Sequence, residues 1–179
     1  MCGIAGLIVK QSDTLQSDLV NMLKELVHRG RDATGLALYE QRDDIQARVS
    51  MTDPAFETNL HAIVEKYGRI TNSNVYRGGG IFYFFEGSID MDPGQISNLH
   101  WDIDSDENLC VHSLGKQIKV YKDQGSAEDL LKSHEIKVGR CTHGIGHVRL
   151  ATESVENINF AHPYVSYLYP ELSLVHNGQ

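Results

Sequence analysis

The sequence predicts an α+β or layered α/β domain. Three observations carry this. Short apolar runs bounded by Gly and polar turns outnumber the helical stretches. Three stretches place their apolar or capping residues at helical spacing. The helical stretches are interspersed among the strands rather than gathered at one end. At 179 residues the chain is one domain of ordinary size, or most of one, and can bury a real core.

Cys2 to Val9 reads as a buried strand, with Gly3 and Gly6 where a backbone or ligand can approach closely. Lys10 to Asp13 is a polar turn, and Asp13 or Thr14 can cap the next helix. Leu15, Leu19, Met22, Leu23 and Leu26 form one apolar stripe over three to four turns. His28-Arg29-Gly30 ends it, with basic residues at the negative end of the dipole and a glycine cap. Arg31 to Gly35 reads as a loop and Leu36 to Tyr39 as a second strand. Ala47 to Met51 is a weaker strand, and Pro54 to Tyr67 has helical spacing. Arg77 to Gly80 is a turn before the aromatic strand Ile81 to Phe85. The acidic stretch from Ser88 to Asn108, taken with its flank as 86–108, reads as a loop or insertion. Leu109 to Leu114 and Ile118 to Tyr121 are strands about Gly115-Lys116. Ser126 caps a helix to Lys132. Thr142 to Ser154 is a strand running into a polar loop, and Leu172 to Val175 is a last strand.

The net charge of −8, with no run of Lys and Arg, argues against nucleic acid or an anionic membrane as partner. Three cysteines are too few and too irregularly spaced for a disulfide framework, which fits a reducing cytoplasm. The opening apolar run is too short for a signal-peptide core, and no stretch approaches the ~20 apolar residues of a membrane span.

Cys2 is the first residue with chemistry to offer. A cysteine at a mature N-terminus combines a thiol of pKa ~8.5 with an α-amine of pKa ~8 that can take the thiol proton. While Met1 is attached that nitrogen is an amide and lacks basicity. The plainer reading is a small buried hydrophobe. Arg149, at the end of a strand and near Thr152, can clamp a carboxylate through two parallel hydrogen bonds; the plainer reading is a surface ion pair. Arg29 and Asp32 read alone as an ion pair fixing a loop. Asn177 and Gly178 can direct an amide and a backbone N–H at one oxyanion, each donor being worth ~3–4 kcal/mol in acyl transfer, or can be an ordinary Asn-Gly turn. His143 and His147 in a strand would share a face but lie ~13 Å apart, too far to share a metal ion. The histidines read better as structural, and no metal is expected.

Taken in order, Cys2-Gly3-Ile4, Arg29-Gly30-x-Asp32-x-x-Gly35, Gly146-His147-x-Arg149-x-Ala151-Thr152 and His176-Asn177-Gly178 resemble the signature segments of class II glutamine amidotransferases, which are N-terminal-nucleophile hydrolases. The run Arg149 to Ser154 is similar to the amidotransferase subunit of glutamate-synthase-like enzymes, including N-methylglutamate synthase. The resemblance implies a four-layer α-β-β-α sandwich. It implies that Cys2, freed of Met1, attacks the side-chain amide of L-glutamine. Asn177 and Gly178 would hold the oxyanion. Arg149, helped by Thr152, would hold the substrate α-carboxylate, and Arg29 would sit near the nucleophile. Ammonia would pass to a synthase subunit or domain. No cofactor is implied in this domain; FMN and an iron–sulfur cluster would belong to that partner.

Two departures stand out. Many members of that family have Trp after the Arg and His-Gly after the Thr, where this chain has Leu150 and Glu153-Ser154. The family also supplies an Asp for the substrate amine well after the Asn-Gly, past the position of Gln179, so the expectation is a domain truncated at its C-terminal end. Another N-terminal-nucleophile amidase and a non-catalytic regulatory subunit of the same fold are the alternatives. The geometric expectation is that Cys2 and the Asn177-Gly178 pair lie a few ångströms apart across adjoining strands, with Arg149 facing the same cleft.

Overall fold

Two four-stranded sheets, each with helices packed on it, make up the chain in a computed structural model that describes residues 1–150 and 158–177. They belong to two compact units. The first comprises 1–41, 120–164 and 173–179, the second 42–119 and 165–172.

In the first unit the sheet order is β1-β8-β2-β7, from β1 (Gly3–Ser12), β8 (Cys141–Arg149), β2 (Ala33–Glu40) and β7 (Ile118–Gln124). β1 and β2 both run antiparallel to β8. α1 (Leu15–Glu25) buries Leu15, Leu19, Val20 and Leu23. Val20 takes the place expected for Met22, which is 39% exposed. Gly144 and Gly146 let this helix come down onto β8. A Cβ on Gly146 would lie 2.7 Å from Leu23 Cδ1, and one on Gly144 3.1 Å from Leu15 Cδ2. α4 (Ala127–Ser133) begins at a capping box in which Ser126 and Asp129 satisfy each other's backbone N–H groups.

Several expectations change here. β1 is not buried throughout. It lies at the end of the sheet order and alternates, with Ala5 buried but Ile4 and Ile8 exposed, because α1 covers only one face. It also continues through the expected turn to Ser12. β2 starts at Ala33, inside the expected loop, and is buried over its whole length.

The second unit has sheet order β4-β5-β3-β6, from β4 (Gly68–Arg77), β5 (Tyr83–Met91), β3 (Ile45–Met51) and β6 (Leu109–Gly115). α2 (Glu57–Val64) and α3 (Ile96–Asp104) supply Leu60, Val64, Ile96, Leu99 and Ile103 to its core, against Val49, Phe85 and Ile89. The reading of 86–108 as a loop or insertion is therefore overturned. It holds the second half of β5 and the whole of α3, whose acidic residues occupy the outer face while Ile96, Leu99, His100 and Ile103 are buried. The strands on either side of Gly115-Lys116 are not partners either: β6 and β7 belong to different sheets. The opposite face of the second sheet carries buried Arg48, whose guanidinium donates to Glu86 (2.6 Å) and to the Tyr76 hydroxyl (2.8 Å).

β9 (Tyr164–Val165) and β10 (Ser173–Leu174) form a separate two-stranded ribbon. No described helix is long and apolar enough to cross a membrane.

Candidate active site

The residues with chemistry gather at one end of the first sheet, and the strand register explains how. Gly3 and Thr34 both stand opposite Val148, and Ala33 stands opposite Arg149. The start of β1, the start of β2 and the end of β8 thus meet at one edge. Cys2, half-buried, immediately precedes Gly3. Arg29 Nε donates to the Cys2 carbonyl oxygen at 3.0 Å, so the helix-end arginine holds the backbone of the residue that carries the thiol. Its guanidinium also lies 3.9 Å from Met1 Sδ.

The loop from Gly30 to Asp32 is fixed to β8. Asp32 N–H donates to the Arg149 carbonyl oxygen at 3.0 Å, and Asp32 C=O accepts from Gly125 N–H at 3.0 Å. Thr34 Oγ1 donates to the Gly125 carbonyl oxygen at 2.8 Å. Gly30 is required by close approach, since any Cβ there would collide with the Arg149 backbone.

Arg149 is 7% exposed and sits two residues after His147, so both lie on the face of β8 opposite that of Gly146 and Val148. That face carries a group of rings. The His147 and His162 ring centroids are 4.5 Å apart at 64°, His162 and Tyr164 are 4.4 Å apart at 65°, and His162 and His176 are 6.4 Å apart. Lys122 of β7 brings its ammonium to 5.7 Å from the Tyr164 ring. Its stem crosses Gly35, where a Cβ would lie 2.9 Å from Lys122 Cγ and would collide with the His162 carbonyl oxygen.

Electrostatically this is a cationic, water-poor face. His147 is pushed down to about 4, by burial first and then by His162, with Arg149 and His176 adding to it and a backbone hydrogen bond at His176 opposing it. His162 is also pushed down to about 4, by burial and then by Lys122, His176 and Arg149. Both imidazoles are neutral at pH 7. Among the described residues no group of three or more His, Cys, Asp or Glu side chains could hold a metal ion.

Of the residues singled out from sequence, Cys2, Arg29 and Arg149 come together. Asn177 is exposed and belongs to the same unit. It does not follow a strand adjoining β1: β10 pairs with β9, and the loop between them, across which Ser166 N–H donates to Leu172 C=O at 3.0 Å, holds β10 in that ribbon. Thr152 and Gly178 lie outside the described residues. Lys122, His162 and Tyr164 were not distinguished from sequence, and His147 was read there as a structural histidine.

The fold and this edge define a class, an α+β protein with a half-buried cysteine at its second residue and a fixed arginine beside it. Along its whole length the chain is 30% identical to the "Putative glutamine amidotransferase" of Methanothermobacter thermautotrophicus, of which it covers 61%. It is 27% identical over 99% of its length to the "Glutamine amidotransferase-like protein GlxB" of Rhizobium meliloti, of which it covers 58%. The chain therefore spans about three-fifths of the length of these curated relatives and is similar to glutamine amidotransferase-like proteins across that span. No protein-family model matches it.

Proposed function

We propose that the first unit is a glutaminase of the class II amidotransferase type, hydrolysing L-glutamine to glutamate and ammonia through a thioester on Cys2. The observation that carries this reading is the convergence of Cys2, Arg29 and Arg149 at one sheet edge, fixed by the Arg29–Cys2 hydrogen bond and the strand register. Whole-length similarity to amidotransferase-like proteins supports it.

Removal of Met1 frees the α-amine of Cys2, which takes the thiol proton as the sulfur attacks the glutamine side-chain carbonyl. The negative charge on that oxygen is held by the Asn177 amide and the Gly178 N–H. The α-amine returns the proton to the leaving nitrogen, ammonia departs, and a γ-glutamyl thioester remains. Water, activated by the same amine, attacks the thioester and releases glutamate. Arg149, with Thr152, clamps the substrate α-carboxylate. The neutral state of His147 and His162 keeps the positive charge on that face concentrated on Arg149 and Lys122. Arg29 fixes the backbone of the nucleophile. Ammonia passes to a cytoplasmic synthase subunit or domain, which would also hold any FMN or iron–sulfur centre, and the fold would be of the four-layer α-β-β-α type.

Glutamate release from glutamine by Met1-processed protein, compared with Cys2→Ala, tests the reading. Release that depends on Cys2 is expected. Equal rates in the two proteins would end it.

A further inference from the structure

The ring group beside Arg149 transfers no proton and touches no substrate in the steps above, yet it joins the two segments those steps depend on. His147 stands two residues before Arg149 on the same face of β8 and is 1% exposed. His176 is covalently joined to Asn177. His162 packs against both, 4.5 Å from the His147 ring and 6.4 Å from the His176 ring, beside a backbone hydrogen bond that joins His147 to His176. The backbone of His162 is seated against Gly35, which stands opposite His147 in the register of β2 and β8. Its backbone is therefore tied to the sheet as well as to the ribbon that begins at Tyr164.

His162 is 9% exposed, and its Nδ1 is buried with no hydrogen-bond partner among the described residues. A buried, unpartnered imidazole nitrogen costs stability, so the ring is poorly explained as a hydrogen-bonding core histidine. Its contacts are those of a packing ring, edge to face with both His147 at 4.5 Å and Tyr164 at 4.4 Å.

We propose that His162 is a positioning residue, a ring wedge that sets the distance between the carboxylate clamp at Arg149 and the oxyanion donor at Asn177. The proposal rests on the glutaminase reading for the roles of those two residues. It differs from a role in stability because it acts on the reacting geometry. The Arg149 end is fixed by its strand, whereas the Asn177 end is held through the backbone hydrogen bond at His176, the ring contacts and the short β9–β10 ribbon. Loss of the ring displaces the oxyanion donor more than the clamp. Chemistry suffers before binding does, and a displacement on the order of 1 Å is enough to cost ~10²-fold.

The test compares wild type, His162→Ala, His162→Gln and His162→Phe in the Met1-processed chain. Two measurements are made on each: kcat and KM for glutamine, and the NMR cross-peak of the Asn177 side-chain amide, assigned by its loss in Asn177→Asp. Ala and Gln, which lack a ring, are expected to lower kcat by about 10- to 100-fold with a smaller change in KM, and to shift the Asn177 cross-peak. Phe keeps the ring without the orphaned nitrogen and is expected to restore most of kcat and return the cross-peak towards its wild-type position. If Ala does not fold, the comparison of Gln with Phe decides. Wild-type kcat in Ala or Gln, or a Phe variant as impaired as Gln, would overturn the proposal. A wild type that releases no glutamate would instead end the glutaminase reading. The cross-peak would then decide the wedge alone: unshifted in Ala and Gln, it overturns the proposal.

Discussion

Arg149 is the residue at which binding and chemistry should separate. Its guanidinium offers two parallel donors to a carboxylate, which a lysine ammonium cannot reproduce even with the charge retained. Arg149→Lys should raise KM for glutamine by about 10- to 100-fold, the worth of a charge-assisted hydrogen bond of ~1.5–3 kcal/mol, while kcat falls less. Steady-state kinetics on the two proteins check this. The neighbouring histidines give a pH signature with a definite sign. His147 and His162 titrate at about 4 in the folded chain against an ordinary value of 6.5. Between those values the unfolded chain binds protons that the folded chain does not, so stability is complete above pH 6.5 and falls as pH drops towards 4. The fall should amount to roughly a few kcal/mol for the pair, read as a drop in Tm that is reduced in His147→Phe/His162→Phe. The carboxylates held low, Asp44 by its hydrogen bond from Arg42 and Asp129 by that from Ser126, lose their contributions only below 3.8, so the two effects occupy different pH windows.

Among the elements, α3 most clearly separates the structure from the sequence reading. Its core positions Ile96, Leu99, His100 and Ile103 follow the helical repeat, but acidic residues on the other face make the segment look like a solvated insertion, and one of its core residues is a histidine. Leu99 is fully buried, so Leu99→Ala should destabilise the chain by ~2–5 kcal/mol in a denaturant titration. A loop residue would cost almost nothing. α1 and α4 were legible because their signals are local: an apolar stripe over α1 and a capping serine for α4. β4 gave no signal, since its polar residues Thr71 to Asn74 are exposed. Strand pairing was the least legible feature. Nothing in Leu109 to Tyr121 distinguishes a hairpin from two strands that leave for different sheets, because sheet membership depends on partners far along the chain. The candidate site was legible in Cys2, Arg29 and Arg149 as residue types in a recognisable order. The ring group was not, because its members meet only through the register of β2 and β8 and the seating of His162 on Gly35.

For the whole molecule, the account depends on one covalent event at the amino end. With Met1 in place, the nitrogen of residue 2 is an amide and cannot exchange protons with the thiol. Once it is exposed, Cys2 carries nucleophile and base together, beside an arginine that fixes its backbone. Under the proposed reading, hydrolysis of glutamine by this chain alone should proceed without an ammonia acceptor. The most direct measurement is intact mass of Met1-processed protein mixed with glutamine and quenched in acid within the first turnovers. The account predicts a species heavier by one glutamyl group, mapped to Cys2, cleaved by hydroxylamine and missing in Cys2→Ser. Glutamate release with no such adduct on Cys2, or an adduct formed equally well with Met1 attached, would contradict it.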